Sequence, residues 1–303
     1  MKYIARISRI KATLVFSVFT FALSVNTAHA QVNYCFNPNT WTLPQNGKTA
    51  EPSSIIKMIN RNAVTLLGEH HQNQQHHDWQ YNVLTQLLEN GMRFTIGVEM
   101  LSSSQQPALD AWLNRELEDS TFLELVNWQD NWGVQFEFYR PIFELARRHK
   151  LPMAALNADK SLIQTIRQQG WENIPTEHRQ GISDPAKPGR DYLRQLAVSF
   201  KRHRTSSDSE TERRAFLTFV QQQLVWDRAM AERINHTLHQ HRLPVIALMG
   251  SWHMINRHGV PYQLNALDIH EINIFVPWDE HLSCNELTPN FADAIYTPPL
   301  PQH

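Results

Sequence analysis

A chain of 303 residues, 42% hydrophobic and 19% charged, is long enough for one large domain and too apolar to be disordered. A formal net charge of -1 supplies no basic field, which argues against a nucleic-acid partner. Sixteen His and nine Trp stand out, and histidine is both the commonest metal ligand and the side chain that titrates near neutrality.

The N-terminus reads as a targeting segment. Lys2, Arg6, Arg9 and Lys11 form a positive n-region, Ala12 to Val25 an apolar stretch, and Ala28-His29-Ala30 a small-x-small cleavage signal before Gln31. The apolar stretch is too short to span a bilayer comfortably, so residues 1–30 are expected to be a signal peptide that leaves no stable membrane span. Losing those four cations leaves 24 Lys and Arg against 29 Asp and Glu. A periplasmic or secreted protein is expected. Two cysteines, Cys35 and Cys284, lie near the two ends of the mature chain, and in an exported protein such a pair predicts a disulfide. No lipobox pattern precedes Cys35.

Residues 31–51, rich in Asn, Pro, Thr and Gly, predict an arm with little regular structure. A short helix is expected over 52–60. Val64 to Leu67 is a short apolar run of strand type, broken by Gly68 and followed at once by Glu69, His70 and His71. His76, His77 and Asp78 come next, and from Trp79 the apolar spacing is helical until Gly91. The two helix-start histidines read more readily as surface or capping residues than as ligands. Phe94 to Val98 predicts a second strand with Glu99 directly after it, and 100–115 a helix. Residues 117–147 are aromatic-rich, with a turn at 128–133 and a helix that Pro141 would open. Pro152 to Leu156 predicts a third strand, followed by Asn157. Further helices are expected over 161–169, 192–203 and 215–241, with a polar, mobile stretch over 204–211. Pro244 to Met249 predicts a fourth strand ending in Gly250-Ser251-Trp252-His253, and 267–276 holds a fifth. The Pro-rich tail is expected on the surface.

Strands one and four share one ending, G-x-x-H after an apolar run. If these strands are parallel neighbours, Glu69, His71, Glu99, Asn157 and His253 meet at one edge of the sheet, where open α/β sheets bind ligands. His71, His253 and Glu99 are then candidate ligands of a divalent transition metal. Glu69, His71, Glu99 and His253 are candidate catalytic groups for hydrolysis, with or without a metal. Gly68, His70, Asn157, Gly250 and Trp252 are expected to line the pocket. A Glu after a strand also serves as a plain helix cap, and buried Trp is by default core. No G-x-S-x-G, P-loop, H-E-x-x-H or dinucleotide fingerprint is present.

Leu67-Gly68-Glu69-His70-His71 with His76, His77 and Gln80, then Gly97-Val98-Glu99-Met100 with Gln105, Leu109 and Trp112, resemble the ChaN-like haem-binding uptake family. So do Trp128, Tyr139-Arg140-Pro141, Leu156-Asn157, Trp226-Asp227 and Met249 to His253 with Gly259-Val260-Pro261, in that order over about 64–261. The resemblance implies a three-layer α/β/α fold with a mainly parallel central sheet and a helical lobe, residues 31–303 forming one domain and 101–225 supplying much of the lobe. It implies an exported haem-binding protein of haem or iron acquisition, with haem held between two copies and tyrosine as iron ligand. Tyr139 and Tyr192 are the candidates, and Tyr139 reads equally as a core aromatic. The wider superfamily, with Tiki proteases and erythromycin esterases, implies a metal-dependent hydrolase built on the Glu and His residues of the two G-x-x-H segments.

Overall fold

A computed structural model describes residues 35–59, 63–202, 209–278 and 282–299. The targeting segment, its cleavage point, most of the polar stretch after residue 203 and the last residues of the tail lie outside them. Eight strands form one sheet: β1 (Thr40–Leu43), β2 (Lys48–Ala50), β3 (Val64–Glu69), β4 (Thr95–Ser102), β5 (Met153–Asn157), β6 (Val245–Gly250), β7 (Ile272–Pro277) and β8 (Ala294–Thr297). Their order is β2-β1-β8-β7-β3-β6-β4-β5. The six strands from β8 to β5 are parallel, and the β1–β2 hairpin adds antiparallel to β8.

Alternation along the strands sorts the core into two layers. Leu67, Ile96, Val98, Ile246, Leu248 and Phe275 face a layer made by α1 (Pro52–Ile59), α2 (Gln74–Glu89), α3 (Gln106–Leu113) and α6 (Phe136–His149). Val64, Leu66, Ala247, Met249 and Ile274 face α9 (Ser209–His241) and α10 (Val260–Asn265). The fold is therefore the three-layer α/β arrangement that the family resemblance implies. Between α3 and α6, α4 (Asp119–Leu125) and α5 (Trp128–Asn131) carry an aromatic cluster in which Phe122, Trp128, Phe136 and Phe143 pack edge to face or tilted. Helices α7 (Lys160–Gln169) and α8 (Arg190–Arg202) pack against α9.

Four expectations need correction. The N-terminal arm is not irregular and the tail does not lie wholly on the surface: Thr40–Leu43 and the mostly buried Ala294–Thr297 pair with each other and extend the sheet. Strand β4 runs on through Glu99 to Ser102, because the 3-10 turn Ser103–Gln105 intervenes before α3. Pro141 lies inside α6, not at its start, since Phe136 and Tyr139 bury ahead of it and outweigh the backbone bond Pro141 cannot donate. Residues 128–131 form a short helix, not a turn. Cys35 and Cys284 are disulfide-bonded, with Cα atoms 5.4 Å apart.

Candidate active site at the sheet rim

Strand β3 leads with its C-terminal end. Leu67 faces the α2 side of the sheet, so two residues later Glu69 does too, and it is fully enclosed. Its Oε1 accepts from His71 Nδ1 at 2.7 Å and from the Tyr139 hydroxyl at 2.7 Å. Trp132 Nε1 donates to that hydroxyl at 3.1 Å and sets its ring edge-on to His71 at 4.6 Å. Burial opposes the charge on Glu69, but the His71 bond and the neighbouring His77 overcome it and hold its pKa low. His71 is pushed up: burial lowers it, and the Glu69 bond with the charges of Glu99 and Glu69 outweighs that.

The turn after β3 is built by the two histidines that the helix-start pattern assigns to the surface. His76 and His77 are both buried. His76 Nδ1 accepts from the His70 amide at 2.8 Å, and Asn73 caps α2 by accepting from the Gln75 amide. His77 Nε2 donates to the His71 carbonyl at 3.0 Å, which leaves its Nδ1 facing Glu69 Oε2 at 3.6 Å. Gln80 donates to the Leu67 and Gly68 carbonyls, stitching α2 to the end of β3. His70 itself is exposed.

A second chain of the same type comes from the opposite layer. The Tyr192 hydroxyl donates to Asp227 Oδ2, and Asp227 Oδ1 meets His253 Nδ1 at 2.6 Å. His253 Nε2 lies 3.4 Å from Glu99 Oε1, and Glu99 Oε2 accepts from the Gly250 amide at 2.7 Å. Burial would depress His253, but Glu99 and Asp227 raise it to about 10. Burial would raise Glu99, but the His253 charge, then His71 and the Gly250 amide, bring it to about 2. His253 is thus a fixed imidazolium between two carboxylates. The rim holds two tyrosine–carboxylate–histidine chains, one from each helical layer, with Glu99 between them.

The glycines have steric reasons. A Cβ on Gly250 would stand 2.9 Å from His71 Cε1, and one on Gly68 would stand 2.7 Å from Val276 Cγ1. Gly259 holds φ +61° with the His253 carbonyl oxygen 2.4 Å from where its Cβ would sit. Ser251 Oγ donates to the Glu69 carbonyl at 3.2 Å, tying the two G-x-x-H turns together. Asn157 Nδ2 donates to the Glu99 carbonyl at 3.0 Å. A cleft of about 410 Å³ opens beside this cluster, with Glu99 and His253 in its wall, Asn157 at the end of β5, Lys160 at the start of α7, and Trp132 and Trp226 on its sides.

A family model described as haem-binding uptake, Tiki superfamily, ChaN, matches residues 55–264. The chain belongs to the ChaN family. No curated protein matches it by sequence. Among solved structures, ChaN of Campylobacter jejuni, described as binding haem cofacially, is 19% identical, with a TM-score of 0.66 over 84% of this chain and 95% of that one. The type III effector HopBA1 is 13% identical, with a TM-score of 0.48 over 82% and 93%. A mutant of the erythromycin esterase EreC, in its open conformation, is 13% identical, with a TM-score of 0.46 over 78% and 76%. The first of these shares the ChaN fold; the latter two are remote.

The residues of this ChaN-family chain test the ligands expected of them. Tyr139 and Tyr192 are buried, each hydroxyl donates to a carboxylate, and burial plus that neighbouring charge push both phenols far above their ordinary pKa. Neither offers an oxygen to iron; they anchor the two histidine chains instead. His71, His253 and Glu99 meet as an ion-pair network, and among the described residues no group of three or more His, Cys, Asp or Glu is disposed to hold a metal ion. Among the donors with exposed surface are the His71 ring, whose side chain is 37% exposed with Nδ1 committed to Glu69, the exposed His70, and Tyr262, 41% exposed in α10. Trp252 is 38% exposed in the turn that follows β6. Sequence reasoning missed Asp227 and Trp132 as site residues. Asp227 had a signal, being an acid within the apolar stripe of α9.

Proposed function

We propose that this ChaN-family protein is exported and binds haem at the rim of its sheet, as part of haem or iron acquisition. Family membership over 55–264 carries the reading. His71 and Tyr262 are the residues that would hold the iron, and Trp252 and Trp132 the aromatic surfaces beside it. Bound haem would supply the iron centre, while the chain orients it. Glu69 favours the His71 tautomer with its proton on Nδ1, which leaves the lone pair on Nε2, the arrangement that carboxylates behind a ligating imidazole give. Export is supported by the N-terminal targeting pattern and by the Cys35–Cys284 bridge. The test is a titration of the purified protein with haem. A saturable Soret shift is expected, weakened in Tyr262→Phe and His71→Ala and retained in Tyr192→Phe. Absence of any Soret shift at stoichiometric protein would end the proposal. Sequencing of periplasmic protein is expected to start at Gln31.

One observation favours a second reading, hydrolysis. His71 is oriented by Glu69 as a base and stands beside the fixed His253 cation. In that role His71 Nε2 would take a proton from water as the water oxygen attacks an ester carbonyl carbon, the C=O π pair moving to its oxygen; on collapse the C–O bond to the alcohol breaks, and the alcohol leaves with the proton His71 had taken. Turnover of p-nitrophenyl acetate by the parent, lost in His71→Ala, would select it. Equal rates in both would remove it.

A further inference from the structure

We propose that the molecule carries a second binding site, for a small polyanion bearing carboxylate or phosphate groups, in the cleft between α3, α6 and α9. The cleft has a volume of about 720 Å³ and lies along edge strand β5, reaching Leu151 and Pro152 at the N-terminal end of that strand, away from the rim. Arg115, Arg147, Lys150 and Arg233 line it together with His241, and Asp110 is the single acid among the described residues of the lining. Four cations against one acid run counter to a chain whose formal net charge is -1.

Cations gather at helix C-termini for a plain reason, attraction to the carbonyl end of the helix dipole. That reason accounts for Arg115 and Lys150, which follow or cap the ends of α3 and α6. It does not account for Arg233, which lies two turns before the end of α9. Arg233 is half-buried, its Nε reaches only the Ala155 carbonyl at 3.4 Å, and burial lowers its pKa against the weak pull of Asp110. Asp110 is itself occupied by Gln106 Nε2 at 2.8 Å. Arg147 sits in the last turn of α6, where the dipole favours a cation, but its surroundings hold it further from water than that requires. Its guanidinium stacks 3.3 Å over the Trp112 ring, and its Nε and Nη2 are buried and donate to nothing among the described residues. The nearest carboxylate oxygen, Asp119 Oδ1, is 4.0 Å away and already accepts from Trp112 Nε1. Both guanidinium groups are thus partly buried on the walls of one cleft, Arg147 with Asp119 no nearer than 4.0 Å and Arg233 with only the weak pull of Asp110 among the described residues. A buried cation in that state is stabilised by a bound anion. The neutral part of the lining suits such a ligand: Gln106, Asn114, Thr237 and Gln240 offer amide and hydroxyl groups. Planar guanidinium groups match carboxylate and phosphate oxygens in pairs.

Isothermal titration of the full chain with pyrophosphate and with citrate tests the site. Saturable binding is expected, weaker at higher salt, and reduced about tenfold or more in Arg233→Gln, the loss expected of a charge-assisted hydrogen bond. The double variant Arg115→Gln/Lys150→Gln changes only exposed side chains, so it reports on binding if Arg233→Gln fails to fold. His71→Ala is expected to bind as the parent does, which separates this site from the haem reading. No saturable heat with either ion, or parent affinity in both cleft variants, would overturn the proposal. Phosphatidylglycerol vesicles distinguish the source: competition with pyrophosphate assigns the site to a lipid headgroup, and its absence to a soluble anion.

Discussion

At the scale of single residues, the rim is an electrostatic lock with a pH window that follows from two opposed shifts. Glu99 is held at about 2, below its ordinary 4.5, so its contribution to stability is complete above pH 4.5 and is lost as pH falls toward 2. His253 is raised to about 10 from 6.5, so its contribution is complete below pH 6.5 and is lost as pH rises toward 10. Urea midpoints should therefore peak between about pH 4.5 and 6.5 and fall on both sides. In Asp227→Asn the buried partner of His253 is gone, which should cost about 3 kcal/mol near neutrality and flatten the alkaline limb. A variant whose midpoint still falls as steeply from pH 7 to 10 would show that Asp227 does not set the charge on His253. The glycines give a contrast. Gly259→Ala puts a Cβ against a backbone carbonyl at positive φ and should destabilise by about 2 kcal/mol. Gly250→Ala meets the movable His71 ring, so haem binding should be lost while the urea midpoint changes little. The reverse pattern would contradict the placement of His71. Glu69, His71, Glu99 and His253 were legible in the sequence because each follows a short apolar run. The tyrosines were not, because a phenol that anchors a buried carboxylate and one that binds iron occupy the same place in a sequence pattern.

At the scale of elements, legibility follows the range of the contacts. Strands β3, β6 and β7 are buried on both faces and read as continuous apolar runs. Strands β1 and β8 are four residues each and pair with one another across nearly the whole chain, a contact with no local signature. The helical spacing of 100–115 misled for a related reason: Met100 and Leu101 bury in the sheet as β4 continues, and only Pro107, in the first turn of α3, marks where the helix begins. Edge strand β5 is covered by a side chain instead of a strand. Gln106 donates to the Met153 carbonyl and accepts from the Ala155 amide, occupying the ladder positions that a further strand would use. The two chain ends are also joined covalently. Cys35–Cys284 closes a loop of 249 residues, for which chain entropy sets a stabilisation of about 5 kcal/mol as an upper figure. Because β1 and β8 already hold the ends together, the measured loss in Cys35→Ser/Cys284→Ser should be smaller, about 2–4 kcal/mol by denaturant unfolding. A loss below about 0.5 kcal/mol would mean that strand pairing alone secures the ends.

At the scale of the molecule, the rim has an unequal distribution of polarity. Its interior is saturated: two histidines, three carboxylates and two tyrosines bond one another beneath the surface. Trp252, just after β6, and Tyr262, in α10, are exposed, and large aromatic side chains gain most when a flat apolar partner covers them. Haem is such a partner, but it has two faces, and a single shallow rim covers one of them. The other face stays in water unless a second rim meets it. Two copies of the chain, each presenting the same aromatic segment, would close over bound haem in a two-fold arrangement. Haem is therefore expected to act as the interface, so that association depends on the ligand. Sedimentation of the purified protein should show a single chain without haem and a pair of chains on addition of one haem per chain. Tyr262→Phe should require more haem for the same shift, and Trp252→Ala should abolish the pairing while the disulfide and the urea midpoint remain as in the parent. A pair already complete without haem would place the interface elsewhere on the molecule, and a haem-loaded single chain would mean that one rim suffices.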